Sequence, residues 1–600
     1  MKSETRNCQN CKQNFVIEPE DFDFYEKIKV PPPTWCPECR AIRRAVFWNE
    51  HFLFRKKEAK DGKEVFSTYP EPAPLKIYDH DYWWSDGWDP MEYGREVDFS
   101  KPFLQQVKEL ADVVPWSSRS AQRLVNSDYS NQASDQKNCY LCFNAGQLED
   151  CMYAVAAKNC KSCLDINMCS KLELSYEVFS SGTSFQLFFT TESSGCQNVW
   201  FSRDCVDCSD CFGCVNLRHK QYHIFNKPYT KDEYFAKIKE FNIGSYKALE
   251  EIKKQVKNFW KLFPYKYMHG SHNENVVGEY VYRSKNVRYV FQGLNLENVR
   301  YSQNLGFVAK DCYDYANWAE NAELVYESIS VGEEVSNIRF CFDCWPGCQN
   351  LEYSMNCHSS SNLFGCLGLK KKSYCILNKQ YSKQEYEKLR QKIIRHMEDI
   401  PYIDKKGRIY KYGEFFPPEF SPLAYNETFA NDYWPKTKAE AVAGGFQWRD
   451  PELREYQTTV KATDLPDHIN DVTEAVCKEI IQCGCCKRAY RILPAELQFY
   501  KRFSLPLPRL CHNCRYTERI KVRNPVKWWK RQCMCLAVGA PASPAKRGES
   551  TKEADYKIYS NYKKHDHHLA GRCPNEFETS YAPERKEIIY CESCYQLEMI

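Results

Sequence analysis

Residues 196–202 read Cys-Gln-Asn-Val-Trp-Phe-Ser, and residues 348–354 read Cys-Gln-Asn-Leu-Glu-Tyr-Ser. Both stretches continue through Phe-Gly-Cys and Asn-Lys, at positions that keep a constant offset of 152. Weaker matches further upstream have offsets of 150 and 148. The middle of the chain therefore holds two copies of one segment of about 100–110 residues, with small insertions between them.

A shorter pattern recurs inside each copy. Asn, Asp or Glu is followed by an apolar residue or Cys, one variable residue and a second apolar residue, often about 9–16 residues after the previous instance. Short strands at this spacing predict a parallel β-solenoid with two or three strands per turn, and a Greek-key sandwich is the alternative. Instances begin at Asn138, Asp150, Asn159, Asn198, Asn286, Asn298, Asp311, Asn321, Asn337 and Asn350.

Eighteen cysteines lie between Cys139 and Cys375. Three of them align with valines of the second copy, which predicts small buried side chains rather than metal ligands. The aligned pairs are Cys139 and Val287, Cys142 and Val290, and Cys151 and Val299. The series Cys205, Cys208, Cys211 and Cys214 has a spacing related to iron–sulfur ligation. Its counterparts include Ser360 and Leu363, so packing inside the solenoid is favoured over a metal cluster.

Each copy ends in a predicted helix. Thr230-x-x-Glu233 and Ser382-x-x-Glu385 are capping boxes, and apolar residues follow at helical spacing. We expect these helices to cover the ends of the solenoid halves, where sheet edges would otherwise be exposed.

Two copies of a cysteine motif lie outside the repeats. In each copy a C-x2-C pair is followed by a second pair after 24 residues, and one constant offset places Cys8 on Cys483. Arg40 and Arg44 superpose on Arg515 and Arg519 at the same offset. Four such thiolates suit a tetrahedral zinc ion, which predicts two zinc-ribbon or treble-clef modules. The predicted ligands are Cys8, Cys11, Cys36, Cys39, Cys483, Cys486, Cys511 and Cys514.

A third zinc site is predicted near the carboxy-terminal end of the sequence. Cys591-x2-Cys594 supplies two ligands, and Cys533-x-Cys535 completes the favoured set. Cys573 and the cluster His565-Asp-His-His568, of which His568 is the named candidate, are alternatives that the spacing leaves open. The cofactor prediction is therefore two or three zinc ions.

Several motifs resemble a family of uncharacterised bacterial proteins. They are Cys36-Pro-Glu-Cys-Arg40, Trp83-Trp-Ser-Asp-Gly-Trp-Asp89, Asp98-Phe-Ser-Lys-Pro-Phe103 and Tyr590-Cys-Glu-Ser-Cys-Tyr595. The resemblance covers essentially the whole chain and implies zinc-ribbon domains at both ends of a Cys- and Asn-rich repeat. Where other members place further cysteines, this chain has Glu58-Ala59-Lys60.

Charge is concentrated in one region. Residues 477–535 contain 14 Lys and Arg against three Glu, although the net charge of the chain is only +4. Basic residues beside Trp528 and Trp529 suit phosphate contacts and base stacking, so nucleic acid is a predicted partner. An acidic protein surface, including this chain's own solenoid, is the alternative partner. The predicted contact residues are Arg515, Arg519, Lys521, Lys527, Lys530 and Arg531.

The functional prediction is a zinc-binding scaffold or interaction protein. The alternative is a carbohydrate-active enzyme that uses carboxylates on a solenoid flank, with Asp204, Asp207 and Asp210 as candidates. These residues are three apart and would not face one side of a strand. Since no nucleophile elbow, phosphate loop or His-Glu-x-x-His motif occurs, no catalytic residue is assigned.

Composition and the distribution of apolar residues indicate the cellular compartment that we expect for the chain. It has 600 residues and 33 cysteines, with no long apolar run and no apolar segment near Met1. We therefore expect a cytoplasmic protein without a membrane partner, and the sequence leaves its oligomeric state open. The predicted fold is multidomain and mainly β. Its segments are a zinc ribbon or treble clef (1–60), an aromatic-rich connector (61–125), a solenoid half (126–228), a helix (229–265), a second solenoid half (274–380), a helix (381–400), a connector (401–470), a second zinc ribbon or treble clef (471–530) and the third zinc site (531–600).

Overall fold

A computed structural model describes residues 2–450, 457–537, 559 and 561–599. These residues form two compact units, each with one parallel β-solenoid. The mainly β fold with a solenoid middle is confirmed, and the two solenoids together have about 21 turns. One unit contains Met1–Ser120, Met268–Asp450 and Pro525–Trp528, and the other contains Ala121–Tyr267, Pro451–Asn524 and Trp529–Ile600.

In the second of these units, neighbouring solenoid strands pair in parallel, so that Asn131 lies beside Phe143 and Gln197 beside Ser209. Paired residues are 12 positions apart, so one solenoid turn has 12 residues. The hydrogen bond from the N–H of Cys139 to Ser127 Oγ also joins residues 12 positions apart. The last strand pairs in antiparallel orientation. The strands of this sheet are Ala121–Val125, Asn131–Lys137, Phe143–Glu149, Val155–Lys158, Leu164–Glu173, Tyr176–Phe179, Gly182–Phe188, Gln197–Trp200, Ser209–Phe212, Gln221–Ile224 and Lys227–Pro228. The unit's other strands are Tyr265–Lys266, Val460–Lys461, Ile481–Gln482, Ala489–Tyr490, Trp529–Gln532, Glu576–Thr579 and Ile589–Tyr590, and its helices are Lys231–Glu240, Tyr246–Trp260, Pro494–Arg502, His512–Ile520 and Glu592–Met599.

The first unit has the same kind of solenoid. Four of its turns are one residue longer, including the step from Leu296 to Ala309. These four extra residues account for the change in repeat offset from 148 to 152. The strands of its large sheet are Gly270–Ser271, Glu274–Tyr282, Lys285–Leu294, Leu296–Arg300, Gln303–Leu305, Ala309–Ala316, Ala322–Val331, Val335–Arg339, Phe342–Cys344, Gln349–Glu352, Ser361–Phe364, Ser373–Ile376 and Lys379–Gln380.

Smaller elements complete the first unit. Its short strands are Glu4–Asn7, Asn14–Ile17, Phe54–Lys57, Glu64–Ser67, Ile77–Tyr78, Trp116–Ser117, Tyr402–Ile403 and Ile409–Tyr410. Its helices are Pro19–Lys27, Pro37–Ala45, His80–Trp84, Phe103–Ala111, Lys383–Asp399, Phe429–Tyr433 and Lys438–Ala443.

Both predicted capping boxes form, with Thr230 and Ser382 as the capping residues.

The solenoid turn differs from the two or three strands that we expected. Over long stretches every third residue has a positive φ, as at Asn138, Leu141, Asn144 and Gln147. One turn of the solenoid therefore has four corners joined by short sides. Asn and Asp tolerate this left-handed conformation, and all ten pattern positions identified in the sequence lie at such corners.

The side chains between the corners fill the solenoid interior. Cys139, Cys142, Ala145, Leu148 and Cys151 follow one another three positions apart, and all are buried in one cluster. The aligned valines of the other solenoid are buried in the same way, so the prediction that these cysteines act as small core residues is confirmed.

Replacing a corner asparagine tests this backbone. Asn350 has a φ of 57°, accepts a hydrogen bond from Asn337 (2.7 Å) and donates one to Asn362 (3.2 Å). We expect Asn350→Val to lose about 1–2 kcal/mol from the left-handed backbone, besides these hydrogen bonds. Asn350→Gly removes the hydrogen bonds and adds about 0.5–1 kcal/mol of unfolded-state entropy, but it introduces no backbone strain. Its thermal midpoint should therefore lie between those of Asn350→Val and the wild type. Equal midpoints for the two variants would contradict the corner account.

Candidate metal centres

The first four predicted ligands meet at one point. Cys8 and Cys11 lie in the turn between strands Glu4–Asn7 and Asn14–Ile17, whereas Cys36 and Cys39 lie at the start of helix Pro37–Ala45. Their four sulfur atoms lie within 4.8 Å of one another. The Sγ atoms of Cys11 and Cys36 are 3.8 Å apart, and the backbone N–H of Cys36 donates to Cys8 Sγ over 3.2 Å. A tetrahedral ion with metal–sulfur bonds of about 2.3 Å needs sulfur separations of this size.

The second predicted set repeats this arrangement. Cys483 and Cys486 lie in a turn between two short antiparallel strands, and Cys511 and Cys514 lie at the start of helix His512–Ile520. The Sγ atoms of Cys486 and Cys511 are 3.6 Å apart, and the N–H of Cys511 donates to Cys483 Sγ over 3.2 Å. The backbone therefore presents four thiols to one point in the same way in both copies.

The surroundings of Cys483 favour its thiolate. Burial raises the pKa of the Cys483 thiol, but hydrogen bonds from backbone N–H groups lower it to about 7. The N–H of Cys511 contributes the largest of these hydrogen-bond effects. Burial raises the pKa of Cys511 to about 12. A divalent cation would remove this asymmetry, because all four sulfurs bind a metal as thiolates.

The third centre contains a different set from the favoured prediction. Cys533, Cys573, Cys591 and Cys594 form the four-thiol group, so Cys573 takes the place expected for Cys535. The reason is local: the pairing of strands Trp529–Gln532 and Glu576–Thr579 continues beyond their ends, where the N–H of Cys533 donates to the Asn575 carbonyl and the N–H of Cys573 to the Cys535 carbonyl. This pairing brings the sulfur atoms of Cys533 and Cys573 into one group. The N–H of Cys591 donates to Cys533 Sγ over 3.2 Å, as in the other two centres.

Cys535 and His568 lie in a second group that adjoins the third centre. This group also contains His565 and Cys594, and all four residues are buried. The sequence offered the cluster His565-Asp-His-His568 as a competing source of ligands, with His568 as the named alternative. The structure brings His565 and His568 of this cluster together with Cys535.

A fourth copy of the same backbone lacks the thiols. Strand Phe54–Lys57 corresponds to Trp529–Gln532 at the offset that relates Cys8 to Cys483, and Glu58 occupies the position of Cys533. The N–H of Asp79 donates to a Glu58 carboxylate oxygen over 3.0 Å, where the N–H of Cys591 meets a sulfur in the third centre. In this copy the hydrogen bond between Asp79 and Glu58 therefore connects the two segments that carry cysteines in the other three copies.

The paired arginines bind the solenoids. In the first unit, Arg40 and Arg44 reach the buried carboxylate of Asp314, with nitrogen–oxygen distances of 2.8 and 3.2 Å. Arg43, which has no arginine counterpart in the second module, bridges Glu327 and Glu414. These charged side chains are almost completely buried, so each guanidinium depends on its carboxylate partner.

The second unit repeats this contact. Arg515 and Arg519 bind Asp165 over 2.8 and 2.7 Å, and Arg515 also contacts Glu496 at 3.3 Å. The prediction that Arg515 and Arg519 contact nucleic acid is therefore wrong, because both are buried and paired with carboxylates. The sequence alternative, an acidic surface on this chain's own solenoid, describes their environment.

The remaining basic candidates have different settings. Lys521 is exposed and forms an ion pair with Glu518. Lys527 and Lys530 are exposed as well. Arg531 is partly buried and donates hydrogen bonds to the carbonyls of Tyr581 and Ala582. Among these candidates, the exposed lysines could contact a large anionic partner without rearrangement of the fold.

The candidate cysteines and aspartates of the solenoid make contacts with neighbouring residues of the fold. Cys205, Cys208, Cys211 and Cys214 occupy successive interior positions and donate hydrogen bonds to backbone carbonyls. Asp204, Asp207 and Asp210 occupy three successive corners of one turn. Asp204 pairs with Arg218 and accepts from Tyr595, and Asp210 accepts from Asn198. The three carboxylates thus lie on different sides, as the spacing predicted.

Comparison with known proteins identifies no activity for this chain. The sequence matches no protein-family model and no curated protein. Within the described ranges, every helix is too short or too polar to cross a membrane. The function must therefore be inferred from the cysteine centres and the surfaces beside them.

Proposed function

We propose that the chain is a zinc-binding scaffold that binds nucleic acid through exposed basic residues of the second cysteine module (residues 481–520). In this proposal three zinc ions hold three treble-clef modules, and buried arginines fasten two of the modules to their solenoids. The thiol sets support this metal, because four cysteines in tetrahedral proximity are typical of structural zinc.

One observation supports nucleic acid as the partner. The two matched modules use the same arginines for docking but differ at exposed positions. Arg488, Arg491 and Lys501 of the second module are exposed, and their counterparts in the first module are Gln13, Val16 and Glu26. Since the shared fold does not require these basic residues, their positive charge supports a role in binding a polyanion.

Other exposed basic residues extend this surface. Lys487 and Arg502 of the second module are exposed as well, and so is Lys521, which directly follows the module. Glu496 is buried with Arg515, which leaves Glu518 as the exposed carboxylate of the module. Lys and Arg at this density bind phosphates through a salt-dependent attraction that carries little sequence information.

Transferring the residues of the first module tests the proposal. We expect the triple variant Arg488→Gln, Arg491→Val and Lys501→Glu to bind RNA and single-stranded DNA at least about tenfold more weakly. The slope of log affinity against log salt should fall by about three, one for each lost phosphate contact. Fluorescence anisotropy with labelled oligonucleotides at several salt concentrations measures both quantities.

The matched control changes charge elsewhere in the same unit. Lys231→Gln, Lys239→Glu and Lys254→Gln remove an equal charge from exposed helix positions. This control should keep the wild-type slope. Absent or salt-independent binding by the wild type, or equal losses in both triple variants, would contradict the proposed nucleic-acid surface.

A further inference from the structure

The third centre contains more donor atoms than one tetrahedral ion can use. Five buried cysteines and two buried histidines crowd together here: Cys533, Cys535, Cys573, Cys591, Cys594, His565 and His568. They divide into two groups of four that have Cys594 in common. We propose that this centre is binuclear, with a second zinc-class cation bound by Cys535, His565 and His568 and by a Cys594 thiolate shared with the first ion.

The donor separations fit a second tetrahedron. Cys535 Sγ lies 3.3 Å from His565 Nδ1 and 3.3 Å from His568 Nε2, and the two nitrogens are 3.1 Å apart. Cys594 Sγ is 3.4 Å from His568 Nε2. Bonds of about 2.3 Å to sulfur and 2.0–2.1 Å to nitrogen place sulfur about 3.5 Å from nitrogen, and the two nitrogens about 3.4 Å apart.

Hydrogen bonds alone do not account for this geometry. Cys535 Sγ, His565 Nδ1 and His568 Nε2 form a nearly equilateral triangle. A proton on any of these atoms can point along only one edge, and hydrogen bonds weaken steeply away from a linear arrangement. A cation coordinated by these three atoms can interact with all of them at once, because a thiolate sulfur and a neutral imidazole nitrogen each offer a lone pair.

The surrounding residues hold the donors in place. His565 Nε2 lies 3.2 Å from Glu598 Oε1, the carboxylate–histidine contact that orients many metal ligands. Glu598 also accepts from the backbone N–H groups of Tyr562 and Lys563, which fixes the segment that carries the histidines. The side-chain amide of Asn561 donates to Cys535 Sγ over 2.9 Å.

Charge balance favours two ions. One divalent cation bound by the four thiolates Cys533, Cys573, Cys591 and Cys594 leaves a net charge of −2 in a buried site, where uncompensated charge is unfavourable. A second divalent cation reduces this charge to −1 even with Cys535 bound as a thiolate, and the two histidines bind that cation as neutral ligands. Two sulfur and two nitrogen donors in a tetrahedral set suit zinc or a cation of similar preference.

His567 is the competing ligand. Its Nε2 lies 3.1 Å from Cys594 Sγ, and it forms another possible group with His568, Cys573 and Cys594. Its side chain is exposed, whereas those of His565 and His568 are buried. Burial and the Glu598 contact favour His565, so His567→Asn serves as the matched control for His565→Asn.

Cadmium substitution tests the binuclear centre, which rests on the metal-binding part of the proposed function. The full-length chain is freed of metal, reconstituted with ¹¹³Cd²⁺ and studied by ¹¹³Cd NMR. We expect four resonances per chain, two of which share a scalar coupling through the Cys594 thiolate. His565→Asn with His568→Asn should leave three resonances without that coupling, those of the first two centres at their wild-type positions and that of the third centre shifted, because Cys594 no longer bridges. His567→Asn should keep all four.

The outcomes separate this inference from the proposed function. Three uncoupled resonances in the wild type would overturn the binuclear centre and retain the three zinc modules. Four resonances without coupling would overturn the shared Cys594. Loss of the coupled pair in His567→Asn but not in His565→Asn would overturn the ligand assignment. No bound cadmium at all would contradict both the inference and the proposed zinc scaffold.

Discussion

Replacing Cys511 by serine is expected to release one metal ion and unfold the second cysteine module. Metal binding by small zinc modules contributes about 10–16 kcal/mol of apparent free energy, much of which is folding free energy. Cys511 is both a predicted ligand and the residue whose N–H binds Cys483 Sγ, at the start of helix His512–Ile520. Without the ion, this helix should lose its ordered start and the backbone amides of the module should exchange rapidly with solvent.

Hydrogen–deuterium exchange and metal analysis of the same sample measure the two effects. Cys485→Ser is the matched control, because Cys485 is an exposed thiol between two ligands and lies outside the four-thiol group. The control should keep full metal content and wild-type exchange. A Cys511→Ser protein that retains both its metal content and slow exchange in the helix would contradict the assignment.

Replacing Asp165 by alanine should open the contact between the second module and its solenoid. This fully buried carboxylate accepts ion pairs from Arg515 and Arg519, so its removal leaves two buried guanidinium groups without their shared partner. Breaking a buried ion pair in this way costs about 3–5 kcal/mol. Exchange of the amides in helix His512–Ile520 should therefore accelerate roughly 10²–10⁴-fold.

The duplicated architecture provides a second trial of this prediction. Asp314→Ala should accelerate exchange in helix Pro37–Ala45 in the same direction but less, because Arg40 and Arg44 lose Asp314 and keep Glu327 as a partner. Asp232→Ala, at an exposed helix position, is the control and should change exchange little. Equal exchange in Asp165→Ala and Asp232→Ala would show that the arginines do not depend on the buried carboxylate.

Much of the fold could be predicted because the sequence repeats itself. The alignment of Cys139 with Val287 was sufficient to place cysteines inside the solenoid, since both side chains fill the same buried position. The four-cornered turn was harder to foresee. Its corners depend on left-handed backbone, which both Asn138 and Leu141 adopt in the structure, although leucine is a residue type that indicates no turn.

The sites were predictable where the ligands lie close in sequence. Each C-x2-C pair is held by one local turn or helix start, whereas the partners of Cys591 in the third centre depend on strand pairing between Trp529–Gln532 and Glu576–Thr579. The role of Arg515 was misread for a related reason. Its positive charge is visible in the sequence, but its neutralisation by Asp165 depends on docking between segments that lie far apart along the chain.

The metal content of the purified full-length chain tests the central claim most directly. Elemental analysis should find zinc at four equivalents per chain, two of them in the third centre, and no stoichiometric iron. Three equivalents would retain the three zinc modules but exclude the second ion of the third centre. A chain with fewer than three zinc ions, or with iron and visible absorbance, would contradict the proposal that zinc holds these three modules in their folded form.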